Sequence, residues 1–561
     1  MKIIVIGGIA GGMSAAARCK RLDENAEVIV FERGDLVAFS NCGLPYHISE
    51  DIETSDDLIL LSANELKVEY GLDVRVRHEV IKIDRENKVL TVRNDEGEFE
   101  ESYDKVIMSP GGVPIEFDIP GLDTVEHSHL RTVADAAKIH DTMKDNDYKN
   151  AVVVGGGYIG LEAAENLRLA DYNVALVEAL PQILNTMDED MVQILHKEMY
   201  DKGVDLRVGT KLEAIEDGYA VVSKGEKIPC DYLVLAAGIR PVNELAKDAG
   251  LELTERGYIK VDANQQTNDP NIYAIGDATE VFNMMSRQFQ PLALAGPAQK
   301  QSRRAADHIF GKTSLHPGYI GSSAIKLFDY NAAKTGLSCK ELDNLGITNY
   351  DYVIVIPKEK VGIMPGAENQ FFKLIFEKPT GRLLGAQCVS KGEAVKRVDV
   401  VAAMLPFGAT LEDAANVELC YAPPFSIPRD SINFAGLIGM NLLTDRFRQV
   451  HMTEARKLVE NEEYILDVRP QAAFDAGHIK GAHSIPLEEL RDRYQEIPKD
   501  RPVYIHCRTS KNSYYAISAL QELGYDNITN IQGSILGLSH FEYFKDQTED
   551  RESILTDYNF L

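Results

Sequence analysis

The sequence predicts an α/β protein of several domains. Three observations carry that reading: the length, a strand, glycine turn and helix unit that occurs twice, and a distinct module near the C-terminus. At roughly 150 residues per domain, 561 residues make three or four domains. Apolar residues at 44% and charged residues at 26% exclude disordered and fibrous classes.

The first unit opens with the β-branched run Lys2 to Ile6, turns through Gly7, Gly11 and Gly12, and enters an Ala-rich helix. A second apolar strand then ends in Glu32. The second unit repeats this order: residues 151–154 lead into Gly155, Gly157 and Gly160, and the next strand ends in Glu178. Such turns hold a pyrophosphate at a helix N-terminus, and the acid accepts a ribose hydroxyl. The acids fall 20 and 18 residues after the last glycine, which makes chance duplication improbable. In the first copy Ile9 replaces the usual second glycine, so the phosphate is expected at Gly11 and Gly12. Each unit closes with an apolar strand after an Asp, residues 104–111 and 231–238. A third element, residues 267–278, ends in Gly276 and Asp277, where an acid can bind a cofactor hydroxyl. Residues 294–298 then start a helix with Pro297 in its first turn, aiming a positive dipole end at an electron-rich ring.

With 59 Lys and Arg against 87 Asp and Glu, the net charge of -28 disfavours nucleic acid and anionic membranes as partners. An anionic small molecule would need a local basic pocket. Seven scattered cysteines fit a reducing cytoplasm and no disulfide framework, and without CxxC or Cys/His spacing they give no metal site. The uncharged start imitates a signal peptide, but the glycine turn interrupts its apolar stretch. No run reaches the length of a membrane span.

These elements resemble the FAD- and NAD(P)-dependent pyridine nucleotide-disulfide oxidoreductases over roughly residues 1–440. The resemblance implies two Rossmann-like domains, for FAD (residues 1–113 and 239–318) and for NAD (114–238), and an α+β dimer-interface domain (319–443). A homodimer follows from it. In the segment Phe39-Ser40-Asn41-Cys42-Gly43-Leu44-Pro45-Tyr46, Cys42 takes the place of the first redox cysteine, while His47 stands where the second would be. A lone thiol has to cycle through a mixed disulfide, a persulfide or a sulfenic acid. The chain is therefore similar to the single-cysteine branch, which contains coenzyme A disulfide and persulfide reductases, NADH oxidases and NADH peroxidases.

The coenzyme A branch assigns substrate contacts to Arg18 and Arg21 on the first helix, to Asn41, and to the segment Tyr421-Ala422-Pro423-Pro424, with Arg429 as a further cation. Arg18 and Arg21, three apart on a helix, can face one phosphate. One departure stands out: Ile363-Met364 precedes Pro365-Gly366, where disulfide reductases of this branch carry paired Tyr. No His-Pro-Thr segment supplies an acid/base histidine, which leaves Tyr421 as the candidate proton donor.

After a polar stretch at residues 444–448, a unit of residues 450–555 begins. The strand 503–506 delivers Cys507 into the loop Arg508-Thr509-Ser510-Lys511-Asn512 ahead of a helix, a setting that favours a thiolate. With Asp467-Val468-Arg469 and Gly477-His478-Ile479 in order, it is similar to rhodanese domains, which are α/β. A Cys-dependent phosphatase would need Arg at position 513, and Ser513 is there.

The expected function is an NADH-dependent flavoprotein reductase of coenzyme A persulfide and related persulfides or polysulfides, with coenzyme A disulfide as a lesser substrate. Cys42 attacks substrate sulfur, Cys507 handles sulfane sulfur, and coenzyme A and hydrogen sulfide are released. Glu178 favours NADH over NADPH, because a carboxylate repels a 2'-phosphate. Two alternatives remain: an NADH oxidase or peroxidase cycling Cys42 through sulfenic acid, and a sulfur carrier or redox sensor acting through Cys507.

Overall fold

The computed structural model describes residues 1–313 and 316–560. Two compact units divide the chain: Met1–Ala179 with Thr210–Tyr319, and Leu180–Gly209 with Ile320–Leu561.

In the first unit, five parallel strands lie in the order Ile272–Ala274, Lys105–Met108, Lys2–Ile6, Glu27–Phe31, Asp73–Arg75. Runs such as Ile3-Ile4-Val5-Ile6 suit a sheet covered on both faces. Alternate residues divide between two cores. Ile3 and Val5 join Ala15, Ala16, Ala305 and Ala306 on one side, while Ile4 and Ile6 join Val80, Val92 and Ala246 on the other. The alanines let the helices Ala10–Leu22 and Ala295–Ile309 approach closely.

A second set of parallel strands runs Asn173–Val177, Asn150–Val154, Tyr232–Leu235, Glu126–His129. The duplication extends further than the glycine turns disclosed. Each sheet's closing strand is preceded by a three-stranded antiparallel excursion, Glu79–Asp84, Val89–Asn94 and Gly97–Ser102 in one case, Leu212–Glu216, Tyr219–Val222 and Glu226–Pro229 in the other. Short turns at Asn94 to Gly97 and at Asp217-Gly218 close their hairpins.

The second unit holds an antiparallel five-stranded sheet in the order Ser323–Leu327, Tyr330–Gly336, Leu383–Ser390, Gln370–Glu377, Tyr350–Val355. It also holds a parallel sheet in the order Gln449–Val450, Ile528–Ile531, Val503–His506, Tyr464–Asp467, His483–Ser484. Side chains lock the two sheets together. Gln449 and Gln532 donate to the Tyr352 carbonyl at 2.7 and 3.3 Å, and the His451 ring stacks on Tyr352 at 4.1 Å. The polar stretch between them is anchored, because Phe447 is buried among the core residues of the last domain and Gln521 donates to the Arg446 carbonyl. The helix Glu189–Asp201 belongs to this unit: His196 meets Phe544 edge-on at 4.9 Å, and Lys373 is buried between Asp188 and Asp190 at 2.9 and 2.8 Å. Among the described residues no helix is long and apolar enough to cross a membrane.

Candidate active site

The two glycine turns fit their duties differently at each position. Gly7 and Gly155 have φ of 102° and 111°. A Cβ on Gly12 would lie 1.8 Å from the Gly7 carbonyl oxygen, and one on Gly160 would lie 1.9 Å from that of Gly155. These glycines let helix meet strand. Gly11 is closed in by the Ser109 hydroxyl at 2.7 Å, whereas Gly157 faces open space with nothing within 4 Å. Its missing side chain leaves room for a ligand rather than for protein. The strand-end acids act alike: Glu32 accepts N–H groups of Gly8 and Gly34 at 2.7 and 2.8 Å, and Glu178 accepts that of Gly156 at 2.5 Å. Each carboxylate therefore hangs over its turn, where a ribose would sit.

The helix Ala295–Ile309 is tied to the first turn by Ser302, whose hydroxyl donates to the Gly11 carbonyl at 2.7 Å. Gln301 accepts the Gly276 N–H at 2.7 Å and so fixes the turn Gly276–Ala278 that carries Asp277. Burial raises the Asp277 carboxyl, against the pull of Arg131. Arg131 escaped the sequence reading because it lies between the glycine motifs with no motif of its own. Burial lowers its guanidinium although Asp277, Asp135 and Glu32 act on it, and it makes no ion pair among the described residues. A half-buried arginine without a counter-ion, two acids and a helix N-terminus fit the phosphates and hydroxyls of FAD. The open Gly157 turn with Glu178 fits a nicotinamide dinucleotide.

Cys42 lies in the single turn Asn41–Gly43, which runs directly into the helix Leu44–Ile48 with Pro45 in its first turn. Both Asn41 and Cys42 are exposed. Burial of the thiol group itself raises its pKa, and the charges of Glu162 and Asp277 add to that. The acid of the third flavin-type element is thus among the charges that Cys42 feels. His47, at the second-cysteine position, is buried, with Nδ1 on the Ile52 carbonyl at 3.0 Å and its ring 5.1 Å from that of His140. All seven cysteines are free. Cys19 and Cys230 are buried and their thiols are pushed up to about 12, which marks them as packing residues; Cys420, in contrast, is exposed in coil.

Of the candidate substrate cations, Arg18 is already engaged. Its Nε and one terminal nitrogen donate to Asp307 at 2.8 and 2.6 Å, an ion pair across 289 positions that spacing alone could not reveal. Arg21, one turn on, is exposed. Tyr421 and Arg429 belong to the second unit, exposed in a coil that Arg397 holds through the Phe425 carbonyl at 3.2 Å and Asp430 at 2.8 Å. Ile363 is 88% exposed.

Cys507 follows the strand Val503–His506 and precedes the helix Lys511–Glu522. The strand's Asp467 neighbour binds Arg469 through both carboxylate oxygens, with His506 3.4 Å from Asp467. Beneath the loop sits Ser534, whose oxygen accepts the N–H groups of Cys507 and Ser510 at 3.2 and 3.0 Å and lies 4.0 Å from the Cys507 sulfur. It has φ of 51° and is wholly buried, an uncommon state for a serine. Sequence reasoning missed it because it lies on a different element, the helix Ser534–Thr548. Ser513 donates to Asn530 at 2.6 Å, so this position carries a structural hydroxyl in place of a phosphate ligand.

Comparison with known proteins agrees with this geometry. Residues 1–302 match the pyridine nucleotide-disulphide oxidoreductase family, 322–430 its dimerisation domain, and 451–540 the rhodanese-like domain. A coenzyme A disulfide reductase of Staphylococcus epidermidis is 34% identical over 443 residues, covering 78% of this chain and 99% of the relative. The structure of reduced Bacillus anthracis CoADR-RHD is 39% identical with a TM-score of 0.93, covering 97% and 98% of the two chains. That of a NAD-dependent persulfide reductase from A. fulgidus is 31% identical with a TM-score of 0.91, covering 96% and 100%. With two dinucleotide cradles, one exposed cysteine where the redox pair would be, and a rhodanese domain later in the chain, the chain belongs to the pyridine nucleotide-disulphide oxidoreductases.

Proposed function

We propose that this enzyme is an NADH-dependent flavoprotein reductase of coenzyme A persulfide and related persulfides or polysulfides, with coenzyme A disulfide as a lesser substrate. The observation that carries the reading is Cys42, an exposed, free cysteine whose turn and following helix hold no second cysteine, and whose thiol feels the charge of Asp277. The rhodanese domain favours persulfide over a plain disulfide, because it adds a second thiol built to hold sulfane sulfur. The relatives named for coenzyme A disulfide and persulfide support the substrate class.

FAD, held by Glu32, Asp277, Arg131 and the turn from Gly7 to Gly12, supplies two-electron relay between nicotinamide and sulfur. Glu178 selects NADH by accepting a ribose hydroxyl and repelling a 2'-phosphate. The Cys42 sulfur attacks the persulfide bond: at the outer sulfur it forms a Cys42 persulfide and expels coenzyme A, and at the inner sulfur it forms a mixed disulfide and expels hydrosulfide. Two electrons from NADH then reopen the new S–S bond, and protons complete coenzyme A and hydrogen sulfide. Tyr421 is the candidate donor from the interface domain. Arg21, Asn41 and Arg429 bind the nucleotide end of the substrate, with Arg18 contributing only what Asp307 leaves it. Apolar Ile363, Phe407 and Phe425, 88%, 88% and 75% exposed, suit burial against a second copy of the chain, and the reading includes a cytoplasmic homodimer.

The test is Cys42→Ser, assayed anaerobically with NADH and coenzyme A persulfide. Loss of at least a thousandfold in kcat is expected, whereas steady turnover by this variant would sink the mechanism. A wild-type enzyme that consumes NADH under air alone, and no faster with persulfide, would point to the oxidase chemistry instead.

A further inference from the structure

The Cys507 loop is held from below by one short stretch of chain. Ile535 and Leu536, in the first turn of the helix Ser534–Thr548, donate their N–H groups to the carbonyls of Cys507 and Arg508 at 3.2 and 3.1 Å. Those N–H groups are thus occupied by the loop's backbone, and what this turn offers the Cys507 sulfur is the Ser534 hydroxyl, 4.0 Å away.

That hydroxyl has few choices. Its oxygen already accepts the N–H groups of Cys507 and Ser510, so both lone pairs are taken and it can only donate. Its one hydrogen has three acceptors in reach: the Ser510 hydroxyl at 3.1 Å, the Ile531 carbonyl at 3.5 Å and the Cys507 sulfur. Ser510 sends its own hydrogen to the Ile531 carbonyl at 3.3 Å. Behind Ser510 stands Asn530, on the strand Ile528–Ile531 and 1% exposed. Its side-chain oxygen accepts the Ser513 hydroxyl at 2.6 Å, which turns its amino group towards Ser510 at 3.4 Å. A polar chain therefore runs from Ser513 through Asn530, Ser510 and Ser534 to the sulfur. Ser510 and Ser534 have φ of 69° and 51°, a region where glycine sits more easily but brings no hydroxyl. Two serines held in that backbone point to their hydroxyls as the reason.

We propose that Asn530 is a positioning residue for Cys507, one that frees the Ser534 hydrogen for the sulfur. The inference rests on Cys507 being the thiol that takes sulfane sulfur. In the resting loop the Ser534 hydrogen lies on Ser510, its nearest acceptor. When the Cys507 sulfur becomes an anion the hydrogen turns to it, and the Asn530 amino group keeps the Ser510 oxygen bonded. Without that amino group the turn strands a buried acceptor, so the anion loses its donor. The step served in this way balances. The Cys507 thiolate bonds to the outer sulfur of R–S–S–H, and the old S–S bond breaks with its electron pair on R–S⁻. The persulfide hydrogen passes to that sulfur, leaving R–SH and a persulfide anion on Cys507.

The experiment mixes the FAD-loaded, full-length chain, without NADH, with coenzyme A persulfide. The rate at which persulfide appears on the Cys507 peptide is followed by mass spectrometry at values from about pH 5 to 10. Wild type is compared with Asn530→Leu, Ser534→Ala and the two together. Asn530→Leu is expected to load about tenfold more slowly at neutral pH and to move the midpoint of the rise with pH up by about one unit. Ser534→Ala gives a shift of the same sign, and Asn530→Leu adds nothing to it, because Asn530 acts only through the Ser534 hydrogen. General loosening of the loop would instead slow loading at every pH and add to the effect of Ser534→Ala. An unmoved midpoint in a folded Asn530→Leu, or full additivity in the double variant, overturns the proposal. If Asn530→Leu does not fold, Ser513→Ala takes its place: it leaves the Asn530 amide free to turn and is expected to shift the midpoint upward by a smaller amount. An unchanged profile in that variant overturns the proposal as well. Failure of the underlying reading looks different, since wild-type Cys507 would then take up no sulfur at any pH, and the proposal would fall with it.

Discussion

Glu178 accepts the Gly156 N–H at 2.5 Å, so its carboxylate is positioned before any nucleotide arrives, and the proposed selection of NADH puts the discrimination in its charge. Glu178→Ala is expected to raise KM for NADH about tenfold while improving use of NADPH, measured as the ratio of the two kcat/KM values. An unchanged ratio would assign the preference elsewhere. At this scale the sequence was legible wherever a residue acts through its immediate neighbours along the chain. Glu32, Asp277 and the thiols at 42 and 507 announce themselves by the strand or turn they terminate. Arg131 and Ser534 did not, because the groups that act on each lie on other elements. Arg18 shows the converse: its spacing from Arg21 was visible, but Asp307, which occupies it, was not.

The glycine turns separate folding from binding. At Gly160 a methyl group would strike the Gly155 carbonyl oxygen at 1.9 Å, so Gly160→Ala forces helix from strand and is expected to cost several kcal/mol of stability, visible as a fall in Tm. At Gly157 nothing lies within 4 Å, so Gly157→Ala should leave Tm nearly unchanged yet weaken NADH binding by tenfold or more in a titration. If the two variants behave alike, the division is wrong. The antiparallel excursions were missed for a related reason: their short, half-exposed strands carry no glycine fingerprint, only alternation.

The helices Glu189–Asp201 and Ser534–Thr548 make a pH-sensitive contact. His196 and His540 are buried, each lowered to about 3, and His196 accepts the Ile183 N–H at 3.3 Å, which requires a neutral ring. The unfolded chain protonates both below about 6.5, so it binds protons that the fold refuses. Stability is full above that value and declines as pH falls toward 3. By pH 5 each histidine should cost about 2 kcal/mol. Melting followed from pH 7.5 to 5 should show that decline, and His540→Gln should shrink it; a flat profile would mean that the rings find protons within the fold.

For the whole molecule, the proposed homodimer would bury the exposed Phe407 and Phe425, so charge placed there is expected to split it. Phe407→Asp with Phe425→Asp should sediment as a monomer and lose turnover with coenzyme A substrates, since Tyr421 lies in the same domain. A dimer that survives both changes would put the contact on another face. Domain order was readable because each unit carries its own fingerprint, whereas the joint between the last two rests on Gln449, His451 and Gln532 meeting Tyr352, residues with no motif.

That joint has a mechanical meaning. A module bolted to its neighbouring sheet through a stacked ring and two amide ties is no swinging arm on that sheet: whatever displaces the one carries the other with it.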